Sequence, residues 1–398
     1  MDWNSRFAAR TNQMRRSAVR EVLKLTARPG IISFAGGLPA PELFPLEQMR
    51  LAADSALRRP DRSAVQYGET EGLAELRDWI ATRFSRNGLC VRRANVVITT
   101  GAQQALDLVG RVFLNDGDSV VVENPTYLAL LSAWRPLGAQ FLAVPSDAEG
   151  MQVDELEPLL SRRPKLVYSV PNFQNPQGTT HSLQRRLALM ELLRKHETVL
   201  VEDNPYGELR YSGESLPHLL ELDQGGNRVL HVGTFSKTVA PGLRVGWVIA
   251  AEEVIEKLVM AKQASDLHTS TLCQQILCEL LRNGWLEQHV ACLVEAYRQR
   301  RDAMLTALEK QFPPPISWTR PEGGMFLMMK LPAQIDTAEL LRAALKHGVA
   351  FVPGEEFHLS GCGRNTLRLN FSNASPKLIE DGVQRLRLAF EQFSRFSA

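Results

Sequence analysis

The sequence contains few cysteines, and their arrangement is not that of a disulfide framework. Five occur in 398 residues, namely Cys90, Cys273, Cys278, Cys292 and Cys362. The odd number and the wide spacing argue against paired bridges, and the interval between Cys273 and Cys278 fits neither a zinc pair nor a redox C-x-x-C motif. We therefore expect reduced structural thiols, which are typical of a cytoplasmic protein.

Long hydrophobic runs and a strong charge of either sign are also missing. No apolar segment reaches the ~18 residues of a membrane span, and the first residues lack the apolar centre of a secretory signal peptide. The 46 basic and 44 acidic residues leave a net charge of +2, which is too small to indicate a nucleic-acid or charged-membrane partner. The expectation is a cytoplasmic protein that binds neither nucleic acid nor membrane.

Motifs of several common enzyme classes do not occur. No strand is followed by G-x-G-x-x-G, and G-x-x-x-x-G-K-[ST] is found nowhere, which argues against nicotinamide-dependent enzymes and P-loop NTPases. The eight histidines show no ligand spacing such as H-E-x-x-H, so we predict no metal site. Hydrophobic residues at 44% and charged residues at 23% are ordinary for a globular protein with a large core.

What the sequence does contain is a series of short apolar runs that alternate with helical patterns. The runs rich in β-branched residues are 96–100, 119–122, 166–170, 199–202, 229–232 and 245–249. Continuous runs of this length, separated by helices, are typical of a buried and mostly parallel sheet. We therefore predict an α/β fold with helices on both faces of the sheet. Such sheets bind ligands at the carboxyl ends of their strands.

The pattern changes after Pro313, and the change predicts a second, smaller α+β domain. Short strands there mix with two helices, whereas the region 251–311 before it is helical with an expected break at Asn283-Gly284. We divide the chain into three parts: an N-terminal arm with part of the small domain at 1–50, a large domain at 51–290 and a C-terminal small domain at 291–398.

The segment 233–247 carries the most informative chemistry. In it Lys237 lies among hydroxyl side chains, including Thr234 and Ser236, and Arg244 follows in a turn rich in glycine and proline. Hydroxyls and an arginine can hold a phosphate, and a lysine can form a Schiff base with an aldehyde. Pyridoxal 5′-phosphate (PLP) carries both groups, so the segment suggests a PLP site.

A carboxylate, a phenol and an amide follow neighbouring strands. Asp203 comes directly after the run 199–202, where a carboxylate can pair with a protonated pyridine nitrogen and keep the ring electron-accepting. Tyr206 and Asn175 lie in nearby turns, and both can hydrogen-bond the phenolate oxygen of the ring. Aspartate and asparagine beside proline are also ordinary turn formers, so each position alone allows that simpler interpretation.

Further residues fit the same ligand. Gly101, Ala102 and Gln103 follow a strand and open a helix, where free N–H groups and the helix dipole favour an anion. Tyr127 also follows a strand and can stack on an aromatic ring, although a core tyrosine fits that position as well. Arg368 can grip a carboxylate through two parallel hydrogen bonds, or it can pair with a glutamate on the surface.

Taken in order, these features resemble the fold-type I PLP-dependent enzymes of aminotransferase class I/II. The run Ser-Lys-x-x-x-Pro-Gly-Leu-Arg-x-Gly at 236–246 is highly specific for that family, and the resemblance extends from about Ser17 to the C-terminus. Two N-terminal segments, 17–25 and 34–45, are most similar to the 2-aminoadipate/kynurenine aminotransferase group, which is related to the effector domain of MocR-type regulators. The resemblance implies the PLP-transferase fold, PLP as cofactor and a homodimer.

The resemblance also implies roles for individual residues. The cofactor would be held by Asp203, Tyr206, Asn175, Tyr127, Thr234, Ser236, Arg244 and the turn 101–103. Within this set Asp203 would bind the pyridine nitrogen, Tyr206 and Asn175 the ring oxygen, and Tyr127 the ring face. Lys237 would form the Schiff base and then move the proton. A lysine freed beside a cationic ring has a reason to be a neutral base near pH 7.

Substrate and subunit contacts are implied in the same way. Arg368 would clamp the substrate α-carboxylate, with Asn175 beside it. Arg20 matches a mobile N-terminal helix that meets the distal carboxylate of acidic substrates, although here it fits equally well as a solvated charge. Gly37 would leave room for substrate, and Tyr67 matches a tyrosine that reaches the phosphate of the neighbouring subunit.

The expected activity is transfer of an amino group from an L-amino acid to a 2-oxo acid such as 2-oxoglutarate. The donor would be 2-aminoadipate-like, aromatic or aliphatic. A PLP-dependent lyase or decarboxylase stays open, because the reaction depends on which Cα bond stands perpendicular to the ring. A PLP-sensing regulator is disfavoured, since it needs a DNA-binding domain before Ser17 and only 16 residues precede that position.

Overall fold

The computed structural model of the protein describes residues 1–26, 30–359 and 361–397. Within these residues the strands are β1 (Ile32–Ser33), β2 (Val96–Thr99), β3 (Ser119–Asn124), β4 (Gln140–Asp147), β5 (Gly150–Met151), β6 (Leu166–Ser169), β7 (Val199–Asp203), β8 (Val229–Thr234), β9 (Gly246–Ile249), β10 (Ser317–Trp318), β11 (Phe326–Lys330), β12 (Val349–Ala350), β13 (Val352–Pro353) and β14 (Thr366–Asn370).

Helices connect most of these strands. The α-helices are α1 (Ala18–Thr26), α2 (Leu46–Leu57), α3 (Ala74–Phe84), α4 (Ala102–Phe113), α5 (Leu128–Trp134), α6 (Glu157–Leu160), α7 (Leu183–Lys195), α8 (Leu219–Leu222), α9 (Glu252–Gln263), α10 (Thr271–Leu280), α11 (Trp285–Gln311), α12 (Thr337–Lys346) and α13 (Pro376–Ser397). None of the described helices combines the length and apolar character needed to cross a membrane.

Eight strands form the central sheet in the order β2-β9-β8-β7-β6-β3-β4-β5. The strands from β8 through β7, β6 and β3 to β4 run parallel to one another. Strand β9 is antiparallel to both β8 and β2, and β5 is antiparallel to β4. The predicted α/β fold with a mostly parallel sheet is therefore confirmed, with a reversal of direction at β9.

Neighbouring residues of the central strands enter two different hydrophobic cores. Val121 of β3 packs with residues of α3, α7 and α10, whereas Val120 and Val122 pack with residues of α4, α5 and α9. Successive side chains of a strand point to opposite faces, so helices cover the sheet on both sides. This is why β2, β6 and β8 are buried along their whole length and are rich in apolar residues.

A further hydrophobic core joins the N-terminal residues to the C-terminal part of the chain. Strands β10, β11, β14 and β13 form an antiparallel sheet in that order, and β1 pairs in parallel with β12. Residues of α11, α12 and α13 pack against these strands. The division at residues 50 and 290 stays a prediction, and the second of these positions falls inside α11.

The helical region predicted at 251–311 consists of three helices. Asn283 and Gly284, with φ values of 59° and 69°, interrupt it where a break was expected. A second break, between α9 and α10, was not predicted.

The direction of the strands brings several functional candidates to one edge of the sheet. Asp203 is the last residue of β7, and Thr234 is the last residue of β8. Strand β2 runs in the same direction as β8, because each is antiparallel to β9, so Gly101 follows at the same edge. A crevice at the carboxyl edge of such a sheet is the usual place for a ligand.

Candidate active site

A cavity of about 930 Å³ lies at this edge of the central sheet, between it and residues of β11 and β14. The predicted site residues that line it are Arg20, Gly37, Ala102, Gln103, Tyr127, Asn175, Asp203, Tyr206, Thr234, Ser236, Lys237, Arg244 and Arg368. Gly101 and Tyr67 are the two predicted residues that do not line this cavity. The fold thus brings together residues that are up to 348 positions apart in the sequence (Arg20 and Arg368).

Lys237 lies in the turn that follows β8, and its amino group faces the N-terminal segment. The Nζ atom donates a hydrogen bond to the carbonyl oxygen of Gly37 at 2.9 Å. Burial, together with the positive charges of Arg244 and Arg368, lowers the pKa of Lys237 to about 8. A lysine with a lowered pKa has a larger neutral fraction near neutral pH, which makes it a better nucleophile and base.

Asp203 is buried at the floor of the cavity with only one of its two oxygens engaged. Its Oδ2 atom accepts a hydrogen bond of 2.7 Å from the hydroxyl of Tyr168, whereas Oδ1 is buried without a partner among the described residues. Burial raises the pKa of Asp203 to about 6, and the hydrogen bond from Tyr168 opposes that rise. A buried carboxylate oxygen without a donor fits a protonated ring nitrogen, as PLP would offer.

The other end of the cavity has the features of a phosphate site. Helix α4 begins at Ala102, so the N–H groups of Ala102 and Gln103 have no acceptor within the helix. The exposed guanidinium of Arg244 donates only to the carbonyl oxygens of Pro241 and Thr100, at 3.2 and 3.3 Å, and makes no ion pair with a described carboxylate. Helix N–H groups and an unpaired guanidinium are together suited to a phosphate.

Small residues and hydroxyls complete the phosphate end. Gly101 has φ of 80°, and a Cβ atom there would lie 2.6 Å from Nη2 of Arg244, so a side chain would displace the guanidinium. The Thr234 hydroxyl donates to Oγ of Ser236 at 2.9 Å. Both hydroxyl oxygens lie in buried residues and line the cavity, where they can bind an anion.

Two neutral phenols form part of the wall near Asp203. Burial and the neighbouring charge of Asp203 raise the pKa of Tyr127 to about 12. Burial also raises the pKa of Tyr206, and its ring meets Phe326 edge-on with 5.9 Å between the centroids. Both phenols therefore keep their protons at neutral pH and can donate hydrogen bonds to a ligand.

Arg368 is a buried cation without a carboxylate partner among the described residues. It is 3% exposed, which rules out the alternative of a surface arginine paired with a glutamate. Its Nη1 and Nη2 atoms donate to Oδ1 of Asn175 at 2.7 Å and to the carbonyl oxygen of Ala35 at 2.6 Å, while Nε has no partner. Burial lowers the pKa of Arg368 to about 10, so the group stays charged at neutral pH. A ligand carboxylate would compensate this charge.

The N-terminal segment covers the remaining side of the cavity. Arg20, in α1, lines the cavity together with Arg15 and Arg16, and all three are exposed. A Cβ atom at Gly37 would lie 2.8 Å from the Phe326 ring, so the absence of a side chain lets this segment approach β11.

Tyr67 lies outside the cavity. Its side chain is 78% exposed and meets the ring of His268 edge-on, with 5.7 Å between the centroids. Within a single chain it therefore does not contact the other predicted cofactor-binding residues.

Several residues in or directly behind the cavity wall were missed by the sequence analysis. Tyr168 was recognised only as part of an apolar run, although a phenol in a buried aliphatic strand needs a partner for its hydroxyl. Phe326 and Phe357 were also missed, and their rings lie 4.2 and 4.9 Å from the Arg368 guanidinium carbon. Arg135 lines the cavity too and was not singled out. None of these positions belongs to a local motif.

A carboxylate–histidine cluster, in which Glu202 and His231 are buried and His218 is partly buried, lies on the opposite face of β7 from Asp203. One ligand atom from each of Glu202, His218 and His231 lies within 4.8 Å of the others, so the cluster has the composition of a metal site. The Glu202 oxygens, however, accept from the backbone N–H groups of Leu219 and Leu220 at 2.9 and 3.1 Å, and from Nδ1 of His231 at 2.9 Å. The expected absence of a metal stays a prediction.

The fold and the cavity together are those of a PLP-dependent transferase, and the sequence comparison gives the family. The chain belongs to the family described as aminotransferase class I and II, which it matches over residues 35–386. The protein is an aminotransferase, and its cofactor is PLP.

Three similar proteins show how far the similarity extends along the chain. The aromatic-amino-acid aminotransferase 1 of Thermococcus litoralis is 44% identical over 396 residues, covering 97% of this chain and 94% of the relative. The 2-aminoadipate transaminase of Thermus thermophilus is 44% identical over 394 residues, covering 98% of each chain. The crystal structure of an alpha-aminoadipate aminotransferase from Thermus thermophilus, complexed with N-(5′-phosphopyridoxyl)-L-leucine, has a TM-score of 0.94 at 42% identity and covers 100% of both chains. The predicted family, fold type and cofactor are confirmed.

Proposed function

We propose that this aminotransferase works as a homodimer and moves an amino group from an acidic or aromatic L-amino acid to 2-oxoglutarate. The observation that carries the proposal is the combination, in one cavity, of one half-buried and two buried ionisable groups. These are a lysine of lowered pKa, a carboxylate with a free oxygen and a guanidinium without a carboxylate partner.

The residues present fit PLP at each of its polar groups. We assign Asp203 Oδ1 to the ring nitrogen, and Tyr206 with Asn175 to the ring oxygen. Tyr127 would cover the ring face. The phosphate would be held by Thr234, Ser236, Arg244 and the N–H groups of the turn 101–103. When bound, PLP supplies the electron sink that stabilises negative charge at the substrate Cα.

Lys237 is the group that we expect to move the proton. A lysine of pKa about 8 is partly neutral near pH 7, so its Nζ atom can take a proton from the substrate Cα and return it. The bond to Gly37 is to a neutral carbonyl, so it does not hold the amino group in its charged form as a carboxylate would.

Arg368 is expected to bind the α-carboxylate of the substrate. It is held in place by Asn175, by the Ala35 carbonyl and by the rings of Phe326 and Phe357, and this fixes the direction of its remaining N–H groups. A planar guanidinium fixed in this way binds a carboxylate through two parallel bonds. Both amino acids and 2-oxo acids carry that carboxylate.

The other end of the substrate is expected to meet the N-terminal segment. Arg15, Arg16 and Arg20 place three positive charges there, which favours a distal carboxylate such as that of 2-aminoadipate or 2-oxoglutarate. Because all three are exposed, they can also turn to solvent and leave room for an aromatic side chain. The names of the two relatives, one acting on 2-aminoadipate and one on aromatic amino acids, support this breadth.

A homodimer and a cytoplasmic location complete the proposal. Tyr67 and the nearby Val65 are 78% and 70% exposed, and a second copy of the chain would cover such apolar groups. The family resemblance implies that Tyr67 contacts the cofactor phosphate bound to the neighbouring subunit. This role agrees with the position of Tyr67 outside the cavity of its own chain. The cytoplasmic location is supported by five free cysteines, three of them exposed.

A half-reaction tests the proposed function directly. The PLP-loaded protein is mixed with L-2-aminoadipate or L-phenylalanine alone, and the visible cofactor band is followed. We expect the band to disappear with formation of one 2-oxo acid per site, and to return when 2-oxoglutarate is added. Lys237→Ala should show neither change, whereas a substitution of the exposed Lys257 should show both. Release of ammonia or CO2 instead of a 2-oxo acid would contradict the proposal in favour of a lyase or a decarboxylase.

A further inference from the structure

Tyr168 is a fully buried tyrosine whose hydroxyl donates a hydrogen bond to the carboxylate of Asp203. It lies in β6 opposite Val201 of β7, and Asp203 is two residues further along the same face of that strand. A side chain as long as tyrosine spans this diagonal, and the hydroxyl reaches Oδ2 of Asp203 at 2.7 Å. The contact therefore joins the middle of one buried strand to the end of the next.

The geometry leaves Tyr168 little choice of orientation. Its ring meets Trp134 edge-on, with 6.1 Å between the centroids, and the Trp134 indole N–H donates to the carbonyl oxygen of Leu106 at 2.7 Å. Both aromatic residues are fully buried in the core between the sheet and helices α4, α5 and α9. Burial raises the pKa of the Tyr168 phenol well above its ordinary value, so the hydroxyl is a donor at all working pH values.

The two carboxylate oxygens of Asp203 have different surroundings. One is occupied by Tyr168, and the other is buried, unpartnered and next to the cavity. A carboxylate with both oxygens free could rotate about its Cβ–Cγ bond, and in a buried place it would take up a proton more readily. With Oδ2 held, only Oδ1 remains for a ligand.

We propose that Tyr168 is a positioning residue, which fixes Asp203 through Oδ2 and so presents Oδ1 to the protonated ring nitrogen of the cofactor. This inference rests on the proposed assignment of Asp203 to the ring nitrogen. It gives Tyr168 a role in cofactor binding although the residue does not line the cavity.

The test compares Tyr168→Phe with a matched control. Tyr211→Phe also removes a buried hydroxyl, which donates to the carbonyl oxygen of Gly324. Tyr211 lies in the core that joins the N-terminal residues to the C-terminal part of the chain. PLP affinity is measured by titrating the cofactor-free proteins and following the visible band. Tyr168→Phe is expected to weaken PLP binding roughly tenfold or more, because a hydrogen bond to a charged group is lost, whereas Tyr211→Phe should not.

The pH dependence of PLP binding gives a second readout that a merely structural role would not move. Asp203 must be ionised to pair with the protonated ring, so binding weakens as the pH falls through the pKa of about 6. Removal of the Tyr168 hydroxyl removes a contact that lowers this pKa. The acidic limb of the binding curve should therefore move to higher pH in Tyr168→Phe and stay in place in Tyr211→Phe.

A double-mutant cycle separates this inference from the proposed function. If Tyr168 acts through Asp203, Tyr168→Phe should add little to the loss of PLP affinity caused by Asp203→Asn. Folding is checked by the melting temperature of the cofactor-free proteins, and Tyr168→Met takes the place of Tyr168→Phe if the latter does not fold. Wild-type affinity and an unmoved acidic limb in Tyr168→Phe, or fully additive losses, would overturn the role of Tyr168. Asp203→Asn with unchanged PLP affinity would overturn the assignment of Asp203 instead.

Discussion

Single residues in the cavity carry charges that do not neutralise one another. Lys237 donates to a carbonyl, Arg368 to an amide and a carbonyl, and Asp203 accepts from a phenol, so none of the three ion-pairs with another described residue. Unpaired buried charge is costly, and part of that cost is removed when a ligand brings charges of opposite sign. The cavity is therefore arranged for a ligand that carries both a cationic ring and anionic groups.

The pKa of Lys237 leads to a pH prediction. The proposed attachment of PLP to Lys237 requires a neutral amine, and the pKa of Lys237 is lowered from 10.5 to about 8. The rate of PLP attachment to the cofactor-free protein should rise with pH, by up to about tenfold per unit, and level off above pH 8. Stopped-flow absorbance over a pH series measures this. A rise that continues to pH 10 would indicate an ordinary lysine.

Arg368→Lys tests the substrate contact. The ammonium keeps the charge but cannot make two parallel hydrogen bonds and hold Asn175 as well. We expect KM for amino acids and 2-oxo acids to rise by roughly tenfold to a hundredfold, with a smaller effect on kcat. Arg364→Lys, at a side chain that is 67% exposed, serves as the control. Equal kinetics of the two variants would remove Arg368 from the substrate site.

Among the elements, strand β7 carries two adjacent acids with different surroundings. Asp203 faces the cavity, while Glu202 faces α8, where it accepts from two backbone N–H groups and from His231. These contacts hold the pKa of Glu202 at about 2, although burial acts in the opposite direction. Glu202 therefore ties together β7, β8 and the start of α8.

Replacement of this acid should destabilise the fold. Glu202→Gln puts an amide N–H group where a backbone N–H group needs an acceptor, and we expect the free energy of unfolding to fall by about 2–3 kcal/mol at neutral pH. Since the folded-state pKa is depressed from 4.5 to about 2, the contribution is present above pH 4.5 and is lost as the pH falls toward 2. Urea unfolding of the cofactor-free proteins measures it, with the exposed Glu191→Gln as control. A difference that does not shrink below pH 4 would contradict this account.

The features that could be predicted are those whose evidence lies within one short stretch of sequence. The strands were predictable because buried strands are continuous apolar runs, and Lys237 and Arg244 because they share one short segment. The antiparallel direction of β9 could not be predicted, because the residue types of a strand do not indicate its direction in the sheet. Tyr168 was missed because its partner, Asp203, is 35 residues away in the sequence and becomes a neighbour only through strand pairing.

The whole molecule is proposed to be a dimer in which Tyr67 serves the other subunit. We expect Lys237→Ala and Tyr67→Ala homodimers to be poorly active when PLP is limiting. After unfolding and refolding together, heterodimers should regain one intact site, with Lys237 from one chain and Tyr67 from the other. Random pairing would then restore about a quarter of wild-type activity. Recovery would be absent if Tyr67 acted within its own chain.

The alternation of side chains along β7 also limits where insertions and deletions are compatible with the cavity. Glu202 and Asp203 are neighbours in the sequence, yet the pleat sends one to the core under α8 and the other to the cofactor cavity. Insertion or deletion of a single residue at the start of β7 would turn each of the two acids to the opposite face of the strand and move Asp203 away from Tyr168. Length variation that preserves function is therefore expected in the connecting loops and not within β7.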